Sequence, residues 1–125
     1  MSSADFKLSQ ISHVMLGVSK LAPAIAFYRD ALGLSMQHQF EGFAFFAAGS
    51  MTLALSEGLA QARPEKAGAV EIVFSVDDVR AAHAALAARG VGFTQEPRNI
   101  TGAMWAANFA DPDGHLLSIF GPEHK

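Results

Sequence analysis

The chain has 125 residues, half of them hydrophobic, no cysteine and a formal net charge of −3. That size suits one domain with a substantial core. The lack of cysteine excludes disulfides, thiolate catalysis and cysteine-ligated zinc, and the nine Lys and Arg are too scattered for a nucleic-acid surface.

Met1 to Gln10 lacks the basic-plus-apolar pattern of a leader, and no apolar run reaches membrane-spanning length, so a cytoplasmic protein without a membrane partner is expected. Ile11 to Val18 predicts a strand with His13, Met15 and Gly17 on one face and Val14, Leu16 and Val18 on the other. Ser19 is placed to cap a helix whose first turn holds Pro23. Leu21, Ala24, Ile25, Tyr28 and Leu32 recur at helical spacing as its buried stripe, and Gly33 ends it. Strands follow over Ser35 to Phe40, Phe43 to Ala48 and Met51 to Ser56, separated by Glu41-Gly42 and Gly49-Ser50 turns. Glu57 to Gly68, polar and interrupted by Pro64, reads as a surface connection.

The pattern then restarts. Ala69 to Val76 predicts a strand, and Asp77 or Asp78 caps a helix with Val79, Ala82, His83 and Leu86 as its stripe and Gly90 at its end. Val91 to Gln95, Gly102 to Ala110 and His115 to Phe120 supply three more strands. Asp111-Pro112-Asp113-Gly114 is the turn before the last of them: Pro112 presets φ, Asp111 caps the turn, and Gly114 accepts positive φ. Beyond it Leu116, Ser118 and Phe120 share one face, Leu117 and Ile119 the other.

Strand, helix and three strands are thus written twice. The expectation is a single domain over 1–125, with a first βαβββ module over 11–56, a connection over 57–68 and a second module over 69–121. Its class is α+β: a cupped mixed sheet with the helices on its outer face. Laying one unit over the other aligns His13 with Glu71 and Tyr28 with Leu86.

Glu71 sits in an apolar strand, where an unpaired carboxylate is costly, so it needs a partner. Pseudo-symmetry nominates His13, as a base-and-orienter pair or as a structural polar pair lining a wet cavity. Phe43, Phe45 and Phe46 crowd one hairpin with Phe40 just before it, and Trp105 stands in the second module; core packing competes with pocket lining for each of them. Asn108 and Ser118, on neighbouring strands, can orient a ligand. His83 reads as a packing residue, and His115, after a turn, is expected to see solvent.

His13-Val14-Met15-Leu16, Phe27-Tyr28-Arg29-Asp30-Ala31-Leu32-Gly33-Leu34, Phe74-Ser75-Val76-Asp77-Asp78 and Asp111-Pro112-Asp113-Gly114, in this order on the repeat, resemble the vicinal oxygen chelate superfamily. That superfamily includes glyoxalase I, extradiol dioxygenases, and fosfomycin- and bleomycin-resistance proteins. The resemblance implies a cup that holds a small molecule and, in the metalloenzymes, a divalent metal. The four ligand positions it carries over are His13, Ala54, Glu71 and Ser118. His13 and Glu71 can donate to a metal; Ala54 cannot, and Ser118 is a poor replacement for a carboxylate. Gly17 stands where a glyoxalase I arginine would bind glutathione, which argues against a glutathione adduct. The resemblance therefore implies a homodimeric small-molecule-binding protein of the glyoxalase/bleomycin-resistance type, with a degenerate metal site and no tightly bound cofactor. The cup would use His13, Met15, Phe43, Phe45, Glu71, Trp105, Asn108 and Ser118. The alternative is a lyase, isomerase or dioxygenase-like enzyme with His13 and Glu71 as catalytic residues, with or without Zn, Ni, Mn or Fe.

Overall fold

The computed structural model describes residues 11–62 and 70–124. The stretch 1–10, the later part of the expected connection (63–68), Ala69 and Lys125 lie outside them. Strand β1 (His13–Gly17) leads into α1 (Leu21–Ile25), which widens into a π-helical turn over Ala26–Ala31. Then come β2 (Ser35–Phe40), β3 (Phe43–Ala48) and β4 (Met51–Ser56). A short helix α2 (Glu57–Ala62) precedes β5 (Glu71–Ser75), α3 (Val79–Ala88), β6 (Phe93–Thr101), β7 (Met104–Ala110) and β8 (Leu116–Pro122). Each unit closes its own four-stranded sheet, in the orders β1-β4-β3-β2 and β5-β8-β7-β6, with only the first pair of each order parallel. The α+β repeat is therefore present as two mixed sheets.

Period-two alternation decides which face of each sheet is covered. Val14, Leu16, Leu53, Leu55, Ala44 and Phe46 of the first sheet join Ile72, Phe74, Leu117, Ile119, Ala107 and Phe109 of the second in one apolar core. Helix α1 supplies Leu21, Ala24, Ile25 and Tyr28 to it, and α3 supplies Val79 and Leu86. Tyr28, Phe46 and Phe109 are fully buried, each contributing on the order of 1.5–3 kcal/mol of hydrophobic stabilisation. Phe27 bridges the modules, 5.2 Å from the Tyr28 ring and 6.5 Å from that of Phe109. Arg89, just past α3, donates from Nη1 to the Ala31 carbonyl at 3.0 Å.

The Asp111-Pro112-Asp113-Gly114 turn fastens the modules together. Oδ1 of Asp111 accepts the backbone N–H groups of Asp113 (2.9 Å) and His115 (2.8 Å), which builds the turn, and Gly114 takes the positive φ of 86° that its end requires. The other oxygen, Oδ2, accepts the Tyr28 hydroxyl from α1 at 2.7 Å. Asp113 Oδ1 accepts the Ser19 N–H at 2.8 Å. His115 Nε2 donates to the Gly17 carbonyl at 2.7 Å, which fixes the proton on that nitrogen because a carbonyl can only accept. His115 is thus half-buried against β1, not the solvent-facing side chain expected from its place after a turn.

Two further expectations need correction. Ser19 does not cap α1: Oε2 of Glu57 takes the Leu21 N–H at 2.7 Å. A longer acidic side chain brought alongside by α2 reaches the open helix end instead. The expected surface connection accordingly begins as a helix, and it is pinned to the first module at both α1 and β1. Asp78 does cap α3, accepting from Arg80 N and Ala81 N. No helix among the described residues is long and apolar enough to cross a membrane.

Burial first, then the charge and hydrogen bond of Asp111, raise the Tyr28 hydroxyl well above the ordinary tyrosine pKa of about 10. The unfolded chain loses that proton near the ordinary value while the folded chain keeps it, so stability is full below about pH 10 and falls as pH rises beyond it. Tyr28 is the only tyrosine. Phenolate absorbance should therefore appear together with unfolding in an alkaline titration; phenolate forming in a protein whose far-UV dichroism is intact would contradict the buried pair. Tyr28→Phe should cost about 1–3 kcal/mol in denaturant melts by leaving the buried Asp111 carboxylate short of a donor.

Candidate ligand cup

Each sheet turns its second face away from the shared core. On the first sheet the register brings His13, Met15 and Gly17 alongside Thr52, Ala54 and Ser56, and these alongside Ala47, Phe45 and Phe43. Small Ala54, between Met15 and Phe45, is fully covered. The aromatics form a continuous shelf across three strands. His13 meets the Phe45 ring edge-on at 6.3 Å, Phe43 stacks with Phe45 at 6.3 Å, Phe40 meets Phe45 edge-on at 6.0 Å, and His38 stacks on Phe40 at 6.0 Å. Phe40 is 59% exposed and Phe43 37%, although both are large and apolar. The sequence singled out Phe40 as the aromatic just before the hairpin, while nothing in it marked His38.

On the second sheet the outward face carries Glu71, Val73 and Ser75 beside Leu116, Ser118 and Phe120, with Ala110, Asn108 and Ala106 on the next strand. Glu71 does not meet His13. Its side chain spans β8 to reach β7, where Asn108 Nδ2 donates to Oε2 at 2.6 Å. The amide must present its nitrogen there, since a carboxylate oxygen only accepts. His13 instead has its Nδ1 3.0 Å from the hydroxyl of Ser12. The expected His13–Glu71 pair is absent within one chain because the repeat places them on edge strands of separate sheets. Pseudo-symmetry equates their positions without bringing them together.

Other expected residues separate by strand parity. Met15, Phe43 and Phe45 share the His13 face, and Asn108 and Ser118 share the Glu71 face. Trp105 is three residues before Asn108 and so on the opposite face of β7, where it packs against the core. Asn108 and Ser118 are buried in the floor of their half, and the Asn108 Oδ1 atom has no hydrogen-bond partner among the described residues. A separate cavity of about 570 Å³ opens between the β3–β4 turn and β5. Val14, Leu34, Met51, Leu53, Ile72 and Phe74 lie along it, and none of the expected site residues does.

Gly17 has a steric reason to be glycine. A Cβ built there would stand 2.9 Å from Ala60 N and 3.0 Å from Ala60 Cα, because α2 crosses this end of β1. An arginine has no room at that end of the cup.

The sequence profile of the Glyoxalase/Bleomycin resistance protein/Dioxygenase superfamily matches residues 10–119, and the chain belongs to this superfamily. It is similar to the metallothiol transferase FosB of Staphylococcus haemolyticus, 38% identical over 54% of this chain, and spans about half (50%) of that protein's length. Similarity to the glutathione transferase FosA of Serratia marcescens is 25% identity over 90% of this chain and 80% of that protein. Among solved structures it resembles TnmS3, an antibiotic binding protein from Streptomyces sp. CB03234, with a TM-score of 0.78 and 25% identity over 94% of this chain and 99% of that one.

The residues at the superfamily's metal positions do not make a full donor set. Ala54 offers a methyl group, Ser118 a neutral hydroxyl, and one oxygen of Glu71 is taken by Asn108. Among the described residues no three His, Cys, Asp or Glu side chains gather where a metal ion could be held. A catalytic zinc needs about three protein ligands and an open position. His13 and Glu71 fall short of that.

Gly17→Ala should lower stability by about 1–3 kcal/mol through overpacking against α2, read in denaturant melts. A variant as stable as the parent would mean that α2 does not lie on β1 as described.

Proposed function

We propose that the protein binds an apolar small molecule in a cup completed by a second copy of the chain, without turnover. The exposed aromatic shelf of His13, Phe45, Phe43, Phe40 and His38 carries this reading. Large apolar rings left in water on one sheet face mark a binding surface. Val73 and Leu116, 52% and 44% exposed, give the second sheet a matching apolar face. Among the described residues strands β1 and β5 each pair on one edge only, which leaves two backbone edges for a second copy. Setting β1 of one copy beside β5 of another would join the shelf to Glu71, Asn108 and Ser118 of the partner.

The transferase names of two relatives suggest thiol chemistry at a metal. The half-empty donor set and the crowded Gly17 speak against it here, while the likeness to an antibiotic-binding protein favours sequestration. His13 and Glu71 then serve as polar contacts.

Two measurements test the reading. The protein should sediment as a dimer. Flat aromatic compounds should raise its melting temperature and be recovered chemically unchanged, the rise following the mass-action expectation of about 2.7 kcal/mol at a hundredfold excess over Kd. Phe45→Ala should abolish the rise with the fold retained. Stoichiometric zinc or manganese retained by the parent and lost in both His13→Ala and Glu71→Ala, or conversion of a bound compound, would overturn the reading in favour of an enzyme.

A further inference from the structure

We infer that the cup selects ligands carrying a protonated amine on an aromatic or apolar body. This rests on the cup being the ligand site and adds the chemical class that it prefers. Glu71 is exposed on the cup face, and Asn108 holds one of its oxygens at 2.6 Å, so the carboxylate is steered over β8 into the cup instead of trailing into solvent. Its other oxygen, Oε1, has no hydrogen-bond partner among the described residues. Nor does the carboxylate have a counter-ion there, since the ion pairs formed are Arg29–Asp30, Arg80–Glu123 and His83–Glu96, none of them on the cup.

Asn108 supplies an independent observation. It is 7% exposed, and its Oδ1 is buried with no donor to accept from among the described residues. Because Nδ2 is committed to the carboxylate, the amide cannot flip to relieve this. A buried carbonyl left without a donor is costly, and a ligand N–H that reached it would offset that cost. Glu71 and Asn108 therefore both ask for hydrogen-bond donors, and Ser118, opposite Asn108 in the register, can donate or accept.

An ammonium group brings three N–H donors and a positive charge. The aromatic faces of Phe43 and Phe45 suit the same group, because a cation is drawn to the negative face of a ring. A carboxylate or phosphate would meet the Glu71 charge. Among the described residues the cup face carries one arginine, Arg98, on outermost strand β6 opposite Ala106 and exposed. That places the lone cation at the rim and leaves the floor to acceptors.

The test compares three compounds sharing one ring system: 2-naphthylmethylamine, 2-naphthylmethanol and 2-naphthoate, each titrated calorimetrically into the intact protein at neutral pH. The amine should bind about 10-fold more tightly than the alcohol, the worth of one charge-assisted contact, with naphthoate weakest. Glu71→Gln, which keeps the shape and the contact with Asn108, should bring amine and alcohol to within about 2-fold. Raised salt should narrow the preference in the parent. Equal binding of all three overturns the amine inference and leaves the apolar cup standing, as does a preference that survives Glu71→Gln. Failure of all three to bind a protein that is folded by dichroism overturns both.

Discussion

The hydrogen bond from Tyr28 to Asp111 joins the helix of one module to the turn of the other, and the arrangement of the molecule depends on it. A carboxylate in a buried position is tolerable only when its acceptors are filled. Asp111 fills them with two backbone N–H groups of its own turn and one hydroxyl from 83 residues away in the chain. The same turn sends Asp113 to the backbone of Ser19 and His115 to the carbonyl of Gly17. These contacts set the start of α1 and the end of β1 against β8. With the covered faces of both sheets locked into one core, their other faces are left as the surfaces available for binding.

Much of this was legible in the sequence where it depends on period. The repeated strand–helix–strands order, the buried stripes of both helices and the Asp111–Gly114 turn follow from alternation and from residues with narrow backbone preferences. The family resemblance carried by the same segments agrees with the profile match over residues 10–119. Contacts between remote positions were not legible. Nothing local marks Tyr28 as the partner of Asp111, Glu57 as the cap of α1, or His115 as a donor to β1. The cost assigned to an unpaired Glu71 assumed burial, whereas the residue is exposed, and pseudo-symmetry nominated His13 as its partner. The sheet offered Asn108, on the same face two strands away. Trp105 was a matter of parity: its odd spacing from Asn108 puts it in the core.

In the proposed cup an aromatic shelf on one sheet would meet a carboxylate–amide pair on the other sheet of a second copy. Its metal positions have been reduced to one imidazole and one carboxylate, and the carboxylate is already engaged. Two donors fall short of a catalytic zinc's usual three, while the large exposed rings offer apolar contact area that an occupant would cover. Residues of small volume, Ala54 and Ser118, stand where longer ligating side chains would otherwise project, and both are covered by their neighbours. Binding without turnover, as proposed, would account for both features.

The central claim is that one cup takes its shelf from one copy and its Glu71–Asn108 pair from another. Subunit complementation tests it most directly. Phe45→Ala and Glu71→Gln each impair binding of 2-naphthylmethylamine alone, in different halves. If the halves come from different copies, unfolding and refolding the two variants together restores one intact cup in each mixed dimer, and so about a quarter of the parental sites for random pairing. If each cup is built within one chain, every site in the mixture carries one lesion and no parental-affinity binding returns, which would contradict the account.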